Sequence, residues 1–269
     1  MTHPARECVA LHTRLLKCTL EVEHSRAYWR RMSEGPGSVT ARLVLERFWF
    51  GARSLERTGI LLANFRARFD AFPFALQALG AWEDMDPRAR RLVCHWHLQL
   101  SDPLYRRFTG DYLVERRQRL PAEVSHGPVV KWVSEQDAGR WNMSTKIQFA
   151  SKLLSSALAA GLIGSIRDPR PLLVPRVDDL SLAYLLYLLR QVQIEGNLLA
   201  NPYLASLGLA GAELEQRLKT LPSLRFRRQG DLIDYGWVYP DLTAWSQAQF
   251  APGSVSSGAC ARVAAGGSR

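Results

Sequence analysis

Proline and glycine cut this chain into segments long enough for amphipathic helices but too short and too interrupted for a membrane span, and that punctuation constrains it most. A helical period runs from Leu11 to about Arg31 and closes at Gly35-Pro36-Gly37. A second, longer helix is expected from a Ser38 or Thr40 cap to about Phe72, ahead of Pro73, with Gly51 and Gly59 as weak points. On it Arg42, Glu46, Arg53, Arg57, Asn64 and Arg68 recur at spacings of 4, 7, 4, 7 and 4, which at about 100° per residue makes one polar stripe. An anion-facing surface is one reading of that stripe. The other is ordinary solvation, because Glu46 and Glu56 lie within helical reach of Arg42, Arg53 or Arg57. Further helices are expected over Pro87 to Leu100, capped by Asp86, and over Pro103 to Leu120, which ends in Arg116, Arg117 and Arg119 before Pro121.

Beyond Pro121 a short helix fits Val129 to Trp141, broken by Gly139, and Asn142 or Ser144 opens another to about Ala160. Its residues Gln148, Ser151, Lys152 and Ser155 share a polar face, while Ile147, Ala150, Leu154, Ala157 and Leu158 share an apolar one. Leu162-Ile163 then leads through Arg167-Asp168-Pro169-Arg170-Pro171 into Leu172-Leu173-Val174. Helix, helix, hairpin is the order of a winged helix-turn-helix, whose second helix enters a major groove. Thr145, Lys146, Gln148 and Lys152 are then the candidate base and phosphate contacts, and a plain solvated face is the alternative.

The same order recurs. An apolar helix covers Leu180 to Ile194, a short one starts at Asn201-Pro202, and another fills Ala210 to Leu221. Leu224 to Asp231 then alternates apolar and basic before a turn, and Leu232 to Tyr239 returns as a second strand. With Leu224 and Phe226 facing the core, Arg225 and Arg227 face solvent and Arg228 sits at the tip, suited to phosphate contact. Glu213 and Glu215 on the preceding helix would repel phosphates. Trp237, Tyr239 and Trp245 read as closing the C-terminal core, and Gly, Ser and Ala dominate from Ser246 onward, where a disordered tail is expected.

A composition of 47% apolar and 22% charged residues over 269 positions excludes wholesale disorder. The formal charge is +10, carried by 30 Arg and 5 Lys. Codon bias accounts for Arg over Lys but not for the excess of cations over acids. The excess lies mainly in the first 120 residues, at +7, against +3 for the rest. A polyanionic partner fits such a balance.

Catalytic motifs are lacking: no phosphate loop with a Lys, no HExxH and no GxSxG occurs. Cys94-His95-Trp96-His97 is the densest reactive group, with Cys94 and His97 on one helical face. A metal or nucleophile site is the sharp reading, and a packed, hydrogen-bonded helix the ordinary one. Phe48, Trp49 and Phe50 beside Arg47 and Arg53 have two readings as well: stacking on exposed bases, or core packing, which an aromatic triplet in a long helix favours. Cys8, Cys18, Cys94 and Cys260 form no CxxC pair, and no secretory leader or span is evident, so a cytoplasmic protein is expected.

Several diffuse features go together. They are Lys17-Cys18-Thr19 with Glu23-His24-Ser25; Arg53, Arg57 and Arg68-Phe69; Tyr105 and Phe108 through Leu113 to Arg116; and Ser144-Thr145-Lys146 leading to Leu153-Leu154 and Ala160-Gly161-Leu162-Ile163. In these, from about Leu16 to Leu180, the chain resembles the BrxA-type accessory proteins of bacterial BREX phage-defence systems. The resemblance implies a non-enzymatic, cytoplasmic protein that binds double-stranded DNA beside a methyltransferase, an ATPase and other defence proteins. The expected fold is mainly α: a helical domain over residues 1–120, then a winged-helix-like region over 121–245 with short β-hairpins and possible units 121–178 and 196–245. A tail over 246–269 completes it. Lys146, Gln148 and Lys152 would contact the groove; Arg225, Arg227 and Arg228, with Arg53 and Arg57, would contact the backbone. No cofactor, metal or membrane is called for. A protein-interaction scaffold and an RNA-binding protein are the alternatives.

Overall fold

The computed structural model describes residues 5–35, 37–137 and 139–250. The fold is mainly α with a few short strand pairs. After β1 (Ala5–Arg6) come α1 (Arg14–Lys17), α2 (Val22–Ser33), α3 (Ala41–Glu46) and α4 (Leu55–Phe65), the last running on as a π-helical turn over Arg66–Asp70. Then follow α5 (Pro73–Ala81), α6 (Pro87–Ser101), α7 (Pro103–Arg107), a second π-helical stretch Phe108–Tyr112 and α8 (Leu113–Arg117). The remainder is β2 (Glu123–Val124), α9 (His126–Gln136), α10 (Met143–Ala159), β3 (Arg170–Pro171), α11 (Asp179–Arg190), β4 (Val192–Gln193), α12 (Pro202–Ala205), α13 (Gly211–Thr220), β5 (Leu224–Gln229), β6 (Leu232–Trp237) and α14 (Leu242–Phe250).

The starts are set by side-chain caps. Asp86 Oδ1 accepts from the Arg88 amide at 2.7 Å with Pro87 next in the chain, and Asp102 does the same for Tyr105 ahead of α7. Asn142, Asp178 and Asn201 cap α10, α11 and α12. Each satisfies an amide hydrogen that the helix cannot.

The long second helix expected from Thr40 to Phe72 is two helices. Thr40 caps α3, and Ser54, whose Oγ accepts from the Arg57 amide at 3.2 Å, caps α4. Between them the chain turns at Phe48, whose φ is 50°. The Phe48 amide donates to the Leu45 carbonyl and the Trp49 amide to the Val44 carbonyl, each at 3.1 Å, which closes α3 in a Schellman motif. The turn leaves Trp49 and Phe50 buried and Phe48 exposed. Arg53 therefore lies in a loop, and the stripe is divided. Arg68, its last member, is fully buried and donates to the carbonyls of Leu20 and Thr19.

At the centre lies α6, buried on nearly every side from Ala89 to Ser101. Its polar residues tie it to both halves of the chain. His95 lies 2.9 Å from Tyr105 Oη and 2.9 Å from Ser206 Oγ, His97 is held by the Arg68 carbonyl and Tyr184 Oη, and Gln99 donates to Thr109 and to the Pro202 carbonyl. Gly110 lets α12 approach: a Cβ there would come within 2.3 Å of Pro202 Cβ. The N-terminal β1 pairs in parallel with β4, and buried Glu7 meets Arg106 at 3.5 Å and Tyr203.

The disordered tail expected from Ser246 is overturned over its first five residues. Residues 246–250 complete α14, with Ser246 buried and the Phe250 ring stacked 5.0 Å from that of Trp82. Phe250 gives this segment an apolar anchor that its polar neighbours hide. The rest of that tail, 251–269 with Cys260, lies outside the described residues.

Candidate nucleic-acid interface

Between α8 and Val174 the chain forms a small three-stranded arrangement around two helices. β2 pairs antiparallel with β3 in the register Glu123↔Pro171 and Val124↔Arg170, and Leu172 bridges to Ile163 on the other side. The order α8, β2, α9, α10, Ile163, turn, β3 is the same as that of a winged helix-turn-helix, in which α10 corresponds to the second helix and residues 164–169 to the wing. Buried Phe149, Ala150, Leu153, Leu154 and Ala157 fix the orientation of α10. Ser144, Gln148, Ser151 and Ser155, spaced 4, 3 and 4, then form its exposed edge, and half-buried Lys152 flanks it. Ile147 departs from its expected apolar face: it is 43% exposed, and Met143 is 60% exposed one turn earlier. At one helical turn apart the two present a small apolar step beside the polar edge.

Lys146 is committed elsewhere. Its Nζ lies 3.4 Å from Asp137 in the turn between α9 and α10, where the amides of Arg140 and Trp141 also donate to that carboxylate. Against the penalty of burial, the Trp141 and Arg140 amides and the Lys146 ammonium hold Asp137 below the ordinary carboxylate range. Lys146 thus braces the turn rather than reaching outward. On the wing, Asp168 accepts from the His126 amide at 2.7 Å and from Arg170 Nε at 2.6 Å, and the His126 amide is the main cause of its lowered pKa. Arg167 beside it is exposed and has no ion pair among the described residues. Sequence reasoning passed over Arg167 as part of a connection. Its place at the tip between Ile163 and Leu172 was the available signal.

The second unit runs α11, α12, α13, β5, β6, with the hairpin in the register Leu224↔Trp237 to Gln229↔Leu232. Leu224 and Phe226 are buried and Arg225 and Arg227 exposed, as the alternation requires. Arg228 is not free at the tip, because it pairs with Glu215 and its Nε donates to the Gly230 carbonyl at 2.9 Å. Glu215, expected to repel phosphates, instead holds this arginine. Arg57 is likewise tied, to Glu21 at 2.9 Å and to the Lys17 carbonyl at 2.6 Å. Arg53 is exposed with no ion pair among the described residues. The structure thus leaves Gln148, Lys152, Arg167, Arg225, Arg227 and Arg53 available and occupies Lys146, Arg57 and Arg228.

Cys94, His95 and His97 are buried, and both histidines are hydrogen-bonded within the fold. Ser206 Oγ donates to the Tyr203 carbonyl, so it accepts from His95 Nε2–H; His97 Nδ1–H donates to the Arg68 carbonyl. Both rings are neutral, and burial pushes both pKa values down to about 3.

No helix among the described residues is long and apolar enough to cross a membrane. No protein-family model and no curated protein matches the chain. Among solved structures it is similar to an uncharacterized protein from Magnetospirillum magneticum, at 15% identity and a TM-score of 0.54, over 67% of this chain and 97% of that one.

Proposed function

We propose that this chain is a non-enzymatic protein that binds double-stranded DNA as an accessory component of a bacterial phage-defence system of the BREX type. One observation carries the DNA part: a helix in the recognition position presents Gln148 and Lys152 with a row of serines, and its wing carries the exposed Arg167, which has no ion pair among the described residues. Gln offers the donor and acceptor pair that adenine presents in the major groove, Lys reaches guanine or phosphate, and small serines let the backbone approach. Arg225 and Arg227 on the second hairpin add backbone contacts. The defence role rests on the sequence resemblance.

The test is an electrophoretic mobility shift on random duplex over a salt series. Binding that weakens linearly in log salt is expected, and absence of binding at ~50 mM salt sinks the proposal. Duplex RNA in competition should displace DNA poorly, because its deep groove does not admit a helix. The exposed Met143 and Ile147 favour a second reading, a protein partner docked on α10. Under it, Met143→Ser with Ile147→Ser abolishes capture of a defence protein and leaves DNA affinity unchanged.

A further inference from the structure

The aromatic triplet divides in an informative way. Trp49 and Phe50 are buried, but Phe48 is 77% exposed, on a backbone φ of 50°. It occupies the position after the C-cap of α3 where glycine is preferred, since a side chain there clashes with its own backbone. Phe48 accepts that strain and buries almost nothing in return, which is the pattern of a residue kept for contact with something else. Beside it lies a depression of about 230 Å³ lined by Ala27, Arg30, Arg31, Glu34, Phe48 and Trp49.

The chemistry of that depression indicates its occupant. Arg31 neutralises Glu34 at 3.3 Å, while Arg30 and the adjacent Arg47 are exposed with no ion pair among the described residues. Residues 26–57 carry seven Arg against three Glu. An exposed aromatic face and guanidiniums with no ion pair among the described residues suit a flat heteroaromatic ring attached to phosphate. We infer that Phe48 stacks on one unstacked nucleobase of bound DNA, with Arg30 and Arg47 on the flanking phosphates. This rests on the proposed DNA-binding function and adds a contact outside both winged units.

Phe48→Gly makes the test selective, because glycine suits this backbone position. The variant should unfold at the same urea concentration as the wild type or a higher one. It should also lose affinity for duplex carrying one unpaired base by on the order of 10-fold, the range for one base–aromatic stack. The wild type should prefer that bulged duplex over the matched one, Phe48→Gly should not, and Phe48→Trp should restore the preference. Wild-type binding with equal affinity for Phe48→Gly overturns the inference and leaves the DNA-binding reading standing. A Phe48→Gly protein that unfolds earlier also overturns it, because the ring would then be a packing element. If the wild type binds neither duplex, both fall together.

Discussion

Arg225 and Arg228 lie three residues apart on one strand, yet only the first is free to meet a phosphate. Arg228 is held by Glu215 and the Gly230 carbonyl, whereas Arg225 and Arg227 project from the open face of β5. Arg225→Ala and Arg227→Ala should each lower the salt slope of DNA binding by about 1 and weaken binding to all sequences alike. Arg228→Ala should leave that slope unchanged and shift stability by no more than about 1 kcal/mol, since water reaches and screens the pair. A salt titration of the three variants checks the ordering, and equal loss from all three would show that Glu215 releases Arg228 on binding. The same distinction separates Arg53 from Arg57, and Lys152 from Lys146. None of it is legible in sequence. Glu21 lies 36 residues from Arg57 and Glu215 lies 13 from Arg228, so the partners meet only through the tertiary fold.

Elements were more legible than pairings, and the exceptions have physical causes. The starts of α6 at Asp86-Pro87 and α10 at Asn142 follow from capping chemistry, and the β5–β6 hairpin from strict alternation ahead of Gly230. The break between α3 and α4 falls at Gly51, one of the two weak points the sequence offers, but the polar stripe keeps helical spacing across it by coincidence, so a single helix is expected there. As a cap, Ser54 should matter: Ser54→Ala should cost about 1 kcal/mol in urea unfolding, against a few tenths for Ser54→Gly. Gly110 carries a constraint of another kind, invisible without its neighbour. Gly110→Ala would drive a methyl group into Pro202 and should cost about 1–3 kcal/mol by the same measurement. An unchanged midpoint would mean that α12 can move away.

At the scale of the whole molecule, α6 holds together parts of the chain far apart in sequence, through two rings that must stay neutral. His95 joins Tyr105 to Ser206, and His97 joins Arg68 to Tyr184. Sequence reasoning placed these histidines on a packed helix but could not name partners as far away as residue 206. Their pH dependence follows from the direction of the shift. In the unfolded chain each ring takes up a proton near pH 6.5, whereas the folded protein resists until about pH 3. Above pH 6.5 both states leave the rings neutral and stability is unaffected by them. As pH falls from 6.5 towards 3 the unfolded state binds more protons, so stability drops by up to about 1.4 kcal/mol per pH unit for each ring. Burial raises the pKa of Asp102 and Asp70, which opposes this trend in the wild type, so the useful quantity is a difference between proteins. His95→Gln removes one titrating ring and leaves both carboxylates in place. Its urea-unfolding free energy should be lower at pH 7, where a hydrogen-bond bridge is weakened, but should fall less steeply between pH 6.5 and 5 than that of the wild type. Parallel slopes would mean that His95 already binds its proton in the folded protein, and that the link from α6 to Ser206 is not a neutral one.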